Sequence, residues 1–183
     1  MNGKYKKDQY DTCDPDQAVK KEGLVLVDFF AEWCSPCSVL GPMLEKIEKD
    51  MEKRFTLLKA DVNTLPLTSQ KFQVDRIPMV ILFDKGNAVS GFIGLKSEEE
   101  IRQLLENYWY QAFAKKNGYK LDSNSQAVIR GLLANEKKYG KKYCPCRRVT
   151  GDKEQDEKIV CPCVYHKDEI KKDGHCFCRL FLK

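Results

Sequence analysis

The last forty residues of the chain hold six of its nine cysteines, set as three Cys-x-Cys pairs: Cys144/Cys146, Cys161/Cys163 and Cys176/Cys178. Six thiols are too many for one four-coordinate metal centre and too few for two separate ones. Four used as ligands leave two over, enough for one redox disulfide. Taken alone, the pairs suit zinc or an iron–sulfur cluster, because both accept four thiolates and spacing does not separate them. From Lys141 onward the segment is otherwise polar and short of large apolar groups. It needs a metal centre as its staple, as small metallo-domains do. A further pair stands in Trp33-Cys34-Ser35-Pro36-Cys37, directly after the apolar run Leu24 to Phe30. A metal centre, a disulfide beside it and a second dithiol elsewhere together suggest a route for electrons.

The 183 residues suffice for one domain or two small ones, and 42% hydrophobic content permits a real core. No stretch approaches the roughly 18 apolar residues that span a bilayer, so no membrane partner is expected. Met1 to Thr12 is polar and charged with no apolar h-region, which gives the expectation of a cytoplasmic protein without a secretory signal. In that compartment a Cys-x-x-Cys near a βαβ pattern reads as redox or metal chemistry, not as a structural disulfide. Charge is uneven: 17 Lys/Arg against 18 Asp/Glu up to residue 116, then 15 against 9. Lys137, Lys138, Lys141, Lys142, Arg147 and Arg148 form a basic run without an acid, suited to steering an acidic partner. No nucleic-acid motif accompanies it, so no nucleic acid is expected as a partner.

Along the chain, Asp14-Pro15-Asp16-Gln17 should open a short helix ending near Gly23. Leu24 to Phe30 reads as a buried strand. Val39, Leu40, Met43, Leu44 and Ile47 predict a helix to about Lys53, with Pro42 inside it. Phe55 to Val62 reads as a strand, Leu67 to Phe72 as a short helix, and Pro78–Phe83 with Ala88–Ile93 as a hairpin turning at Lys85-Gly86-Asn87. Ser97-x-x-Glu100 caps a helix bearing Ile101, Leu104, Leu105, Tyr108 and Ala112, stopped by Asn117-Gly118. Ser123-x-x-Gln126 opens another with Val128, Ile129, Leu132 and Leu133 on one side and Gly140 past its end. The result is an α/β mixed sheet flanked by helices, followed by a small, mostly α, cysteine-rich domain.

Cys34 should lie at a strand-to-helix junction, where the helix dipole favours a thiolate. Val27-Asp28-Phe29-Phe30-Ala31-Glu32-Trp33-Cys34-Ser35-Pro36-Cys37 resembles thioredoxin, with Ser35 where that family usually has Gly. Pro42 matches the family's helix kink, Ile77-Pro78 its cis-proline loop and Gly94 its late glycine. Met79 stands where Thr is common. The likeness covers roughly residues 13–113. It implies that Cys34 attacks, Cys37 resolves, Asp28 is the buried acid assisting proton transfer, and Pro78 faces the disulfide. Cys13 has no partner nearby and is expected to be an inert or surface thiol.

Tyr143-Cys144-Pro145-Cys146-Arg147, Cys161-Pro162-Cys163 and Cys176-Phe177-Cys178-Arg179-Leu180-Phe181-Leu182, after a helix with Val128-Ile129-x-Gly131-Leu132, resemble the catalytic chain of ferredoxin:thioredoxin reductase over about residues 103–183. The resemblance implies a [4Fe-4S] cluster held by Cys144, Cys161, Cys163 and Cys176, with Cys146 and Cys178 as the active disulfide. Two departures stand out. Phe177 replaces the family's His, so His175 is the expected substitute for proton handling, and His166 is expected to be a solvated loop residue. The spacers between the pairs also differ.

The chain therefore reads as a fusion: residues 1–110 a thioredoxin-like domain, residues 111–183 an iron–sulfur reductase domain, with the helix at 97–116 shared. Electrons would pass from ferredoxin, or a similar low-potential donor, through Cys146–Cys178 to Cys34–Cys37. From there they would reach protein disulfides or a separate thioredoxin. From about −400 mV for a plant-type ferredoxin to about −270 mV for thioredoxin, two electrons release roughly 6 kcal/mol. The alternative is a zinc-stabilised interaction module tethering a thioredoxin to a partner.

Overall fold

The computed structural model describes residues 23–51 and 54–183. The helix expected from Asp14 and the thiol of Cys13 lie outside them. The chain divides into two compact units, Met1–Glu98 and Glu99–Lys183.

In the first unit, β1 (Leu24–Phe30) lies between β2 (Phe55–Asp61), parallel to it, and β3 (Met79–Asp84), antiparallel; β4 (Asn87–Ile93) pairs with the outer side of β3. The continuous apolar run of β1 follows from this central place, since a strand covered on both faces needs no polar alternation. Val25, Val27 and Phe29 share one face and pack with Leu58, Ala60, Ile81 and Phe83. Helix α1 (Ser35–Asp50) buries Leu40, Leu44 and Ile47 and carries Pro42 in its interior. It is tied to β2 by Glu48, whose Oε1 accepts the Leu57 amide, and by the Glu45–Lys59 ion pair. Each fully buried Leu, Ile or Phe here is worth on the order of 1.5–3 kcal/mol. A short α2 (Pro66–Lys71) precedes the cis Ile77–Pro78 bond that leads into β3. The hairpin turns through Lys85 and Gly86, both at positive φ.

The second unit is built on α3 (Glu98–Lys116) and α4 (Ser125–Tyr139). The apolar stripe of α3 passes from Ile101 and Leu105 to Tyr110 and Ala114 and includes a buried Glu106. Tyr108 and Ala112, expected on that face, are only partly buried. The start of α4 is set by Asn124, not by a capping box from Ser123, whose hydroxyl bonds Asp122 instead. Its end is the left-handed Gly140, as the sequence indicates. Three elements are not evident from sequence: α5 (Lys153–Glu157), α6 (His166–Asp173) and the two-residue pairing of β5 (Lys120–Leu121) with β6 (Phe181–Leu182). The core gathers Tyr110, Ala114, Ile129, Leu132, Ile170, Leu180 and Phe181 around Cys161 and Cys176. The cysteine-rich segment thus borrows its apolar neighbours from α3 and α4.

Gly131 shows how closely α4 approaches the first pair. A Cβ there would lie 2.9 Å from Pro145 Cβ and 3.2 Å from its Cγ. In an open helix, Gly→Ala gains roughly 1 kcal/mol of propensity. Here overpacking of about 1–3 kcal/mol outweighs it, because Pro145 is a rigid ring between Cys144 and Cys146. Gly131→Ala should therefore lower the denaturant midpoint of the full chain; a midpoint above the parent's would show that the loop yields freely.

Candidate active site: two cysteine centres

In the first unit, Cys34 and Cys37 form a disulfide with a Cα–Cα distance of 5.3 Å. Cys34 is the N-cap of α1, and its Sγ accepts the Cys37 amide at 3.2 Å. The four unsatisfied amides of a helix start supply positive potential at that point, so a Cys34 thiolate is favoured once the bond is reduced. Both sulfurs are nearly covered, packed with Ala31 and against Phe30, Val62 and Ile77, while Trp33 beside them is 73% exposed. Pro78 is buried, and its carbonyl accepts the amide of Gly94, which sits at positive φ. An exposed indole and the cis-proline loop thus flank the disulfide.

Asp28 lies on the central strand, 1% exposed, and neither carboxyl oxygen has a hydrogen-bond partner. Burial pushes its pKa up to about 7; Lys59 opposes the rise and Glu45 adds to it. Asp28 therefore holds its proton close to neutral pH.

In the second unit, all six cysteines are free thiols. Cys144, Cys161, Cys163 and Cys176 are buried, Cys178 is half-buried and Cys146 is exposed. The backbone at Cys146, the Tyr110 side chain and the backbone at Tyr165 favour the charged forms of Cys144, Cys161 and Cys163 respectively. Cys176 Sγ accepts the amide of Phe181 at 3.3 Å. The sulfurs of Cys176 and Cys178 lie 3.6 Å apart, and Cys178 also interacts with Cys144. Those contacts bring Cys144 down to about 7 and Cys176 to about 6, while the thiol of Cys178 is pushed up. Burial raises Cys161, Cys163 and Cys146. Among the described residues no group of three or more His, Cys, Asp or Glu side chains closes around a single ion. The four sulfurs are near enough to perturb one another's charge yet do not meet at one point.

The basic run is not one surface. Lys142 is buried and ion-paired with Glu106 at 3.1 Å and Glu136 at 2.6 Å. Its carbonyl accepts the Cys161 amide, while Cys144 donates to Ile159, so the buried charge anchors the strands that carry two cysteines. Arg147 pairs with Glu169 and Lys141 with Glu157. Lys137, Lys138 and Arg148 remain on the surface. His166 is also corrected: it is buried at the start of α6 among Phe113, Tyr119 and Phe181, with Nδ1 2.6 Å from the Cys163 carbonyl. His175 is half-buried, with Nδ1 3.0 Å from the Cys176 carbonyl. Glu169 and Tyr110 touch the cysteine loops without any local signal in the sequence that marks them.

Asp28 gives a pH prediction. Below about pH 4 the group is protonated in both folded and unfolded chains. Between pH 4 and 7 the unfolded chain loses the proton and the folded one keeps it, so stability falls as pH rises, by on the order of 4 kcal/mol in all. Above pH 7 the effect is flat. Asp28→Asn removes that slope, so denaturant unfolding of the full chain should show the variant gaining on the parent from pH 4 to 7. Parallel pH profiles would contradict the assignment.

Residues 7–107 match the Thioredoxin family model, and residues 96–183 match that of the ferredoxin thioredoxin reductase catalytic beta chain. A thioredoxin of Chlamydia trachomatis is 40% identical over 86 residues, 47% of this chain and 83% of that protein. A thioredoxin of Staphylococcus aureus is 36% identical over 88 residues, 48% of this chain and 85% of its own. A solved structure of a mutant thioredoxin from Halobacterium salinarum aligns with a TM-score of 0.48 at 30% identity, covering 51% of this chain and 80% of that one. The chain belongs to the thioredoxin family and carries, behind its thioredoxin domain, a domain of the ferredoxin thioredoxin reductase catalytic beta chain family, which makes it a disulfide oxidoreductase.

Proposed function

We propose that the chain is a ferredoxin-dependent disulfide reductase of two domains, residues 1–110 and 111–183, acting in the cytoplasm. The observation that carries this reading is the split among the six C-terminal thiols. Cys144, Cys161, Cys163 and Cys176 are buried, while Cys178 is half-buried and Cys146 is exposed. Hydrogen bonds to sulfur and exclusion of water are what an iron–sulfur cluster asks of its protein. Cys144, Cys161, Cys163 and Cys176 are therefore assigned as the ligands of a [4Fe-4S] cluster. When bound, it supplies electrons one at a time from a low-potential donor to a reaction that consumes two.

The remaining chemistry belongs to the protein's own thiols. Reduced Cys178 attacks a disulfide sulfur of the acceptor, forming a mixed disulfide and releasing one acceptor thiolate. Cys146 then attacks Cys178 Sγ, closing Cys146–Cys178 and releasing the second thiolate, and the two protons given up by Cys178 and Cys146 end on the acceptor's two thiolates. The acceptor is Cys34–Cys37, of this chain or of another copy, or the disulfide of a separate thioredoxin. Reduced Cys34 repeats the sequence on a protein disulfide, with Cys37 resolving, Asp28 handling the proton and Pro78 framing the partner backbone. Phe177 cannot carry a proton, which leaves His175 as the titratable ring of its loop. The exposed part of the basic run, Lys137, Lys138 and Arg148, is assigned to the acidic donor.

Cys178→Ser tests this directly. Ferredoxin-driven reduction of Cys34–Cys37 should fall by roughly a thousandfold or more, with iron content and visible absorption unchanged. Retained turnover, or loss of metal with the serine, would sink the assignment.

A further inference from the structure

The two loops that carry Cys146 and Cys178 are joined through their neighbouring side chains. Arg147 follows Cys146 in the chain, and Phe177 precedes Cys178. The Arg147 guanidinium lies over the Phe177 ring, 5.1 Å from its centroid, and over the Tyr165 ring at 4.6 Å. Glu169 on α6 fixes the arrangement from behind. One of its oxygens pairs with Arg147, and the other accepts the Phe177 amide at 2.9 Å. The Arg147 side chain is 23% exposed, and its Nε is buried without a hydrogen-bond partner. Phe177 itself is 60% exposed, so apolar burial does not explain its place.

A planar guanidinium stacks on an aromatic face and holds a carboxylate through its edge at the same time; an ammonium does one or the other. A clamp of this kind limits how far one loop can move from the other. For two thiols that must join, such a limit raises their effective concentration and stabilises the disulfide relative to the dithiol.

Building on the assignment of Cys146 and Cys178 as the redox pair, we infer that Arg147 and Phe177 are positioning residues: their stack, locked by Glu169, holds the two cysteine loops in register and sets how strongly the Cys146–Cys178 disulfide is favoured. The aromatic ring at position 177 then has a function of its own. It replaces proton handling at that position with control of loop geometry. The reaction it governs is balanced: the two thiols lose two electrons and two protons to a protein disulfide, which becomes a dithiol.

The test is the midpoint potential of the pair in the full, metal-loaded chain. Protein equilibrated anaerobically in dithiothreitol buffers of stepped potential is trapped by alkylation, and the peptides carrying Cys146 and Cys178 are counted by mass spectrometry. Arg147→Lys and Phe177→Leu should each make the bond about tenfold easier to reduce, a rise of about 30 mV. Phe177→Tyr, which keeps the aromatic face, should stay within about twofold of the parent. The double variant should shift no further than either single one, because both remove the same stack. Should Arg147→Lys fail to fold, the exposed Phe177→Leu and Phe177→Tyr pair still decides the matter. Single variants indistinguishable from a parent that forms the bond would overturn the clamp alone. A parent that forms no Cys146–Cys178 bond at any potential would overturn the redox assignment and the clamp together.

Discussion

The second unit depends on keeping several thiol sulfurs buried close together in a segment with almost no apolar mass of its own. Like charges in a dry interior repel strongly, and a buried thiolate without donors is costly. The fold meets both demands with fixed dipoles. The Phe181 amide donates to Cys176 at 3.3 Å, and the backbone at Cys146 and Tyr165 and the Tyr110 side chain favour the charged forms of Cys144, Cys163 and Cys161. The permanent cation of Arg147 acts on Cys144 and Cys163. The rest of the unit is arranged to deliver those groups: β5–β6 returns Phe181 to the core, α6 presents Glu169, and buried Lys142 ties the loops to α3 and α4.

The first unit solves a simpler problem in a different way. A single reactive thiol at a helix start needs only the helix's own amides, and Cys34 occupies that point. Asp28 is the cost of this economy: a carboxyl without hydrogen bonds in the middle of the sheet, held near neutrality by burial. One domain sets a cysteine at a helix terminus, and the other surrounds its sulfurs with an amide, an arginine and other sulfurs. Both leave an exposed aromatic next to a cysteine, Trp33 beside Cys34 in one and Phe177 between Cys176 and Cys178 in the other.

Much of the first unit is legible because its strands are long apolar runs punctuated by Gly and Pro, and β1, α1 and the hairpin lie where periodicity places them. The second unit is less transparent. Helix α6 buries only His166 and Ile170, so no amphipathic stripe marks it, and β5–β6 is two residues long. His166 sits in a polar stretch and looks solvated, yet rings from residues 113, 119 and 181 enclose it. The basic run looks like one patch because sequence shows the charge of Lys142 and not Glu106, which lies on a different helix. Spacing marks the six thiols, while the burial that separates Cys144, Cys161, Cys163 and Cys176 from Cys146 and Cys178 comes from neighbours that only the tertiary fold brings to them.

The most direct measurement is iron and acid-labile sulfide content, with an absorption spectrum, on anaerobically purified full-length chain. About four irons and matching sulfide per chain are what four thiolates holding a [4Fe-4S] cluster predict. One zinc and no iron would contradict the account and leave a thioredoxin joined to a structural metal module.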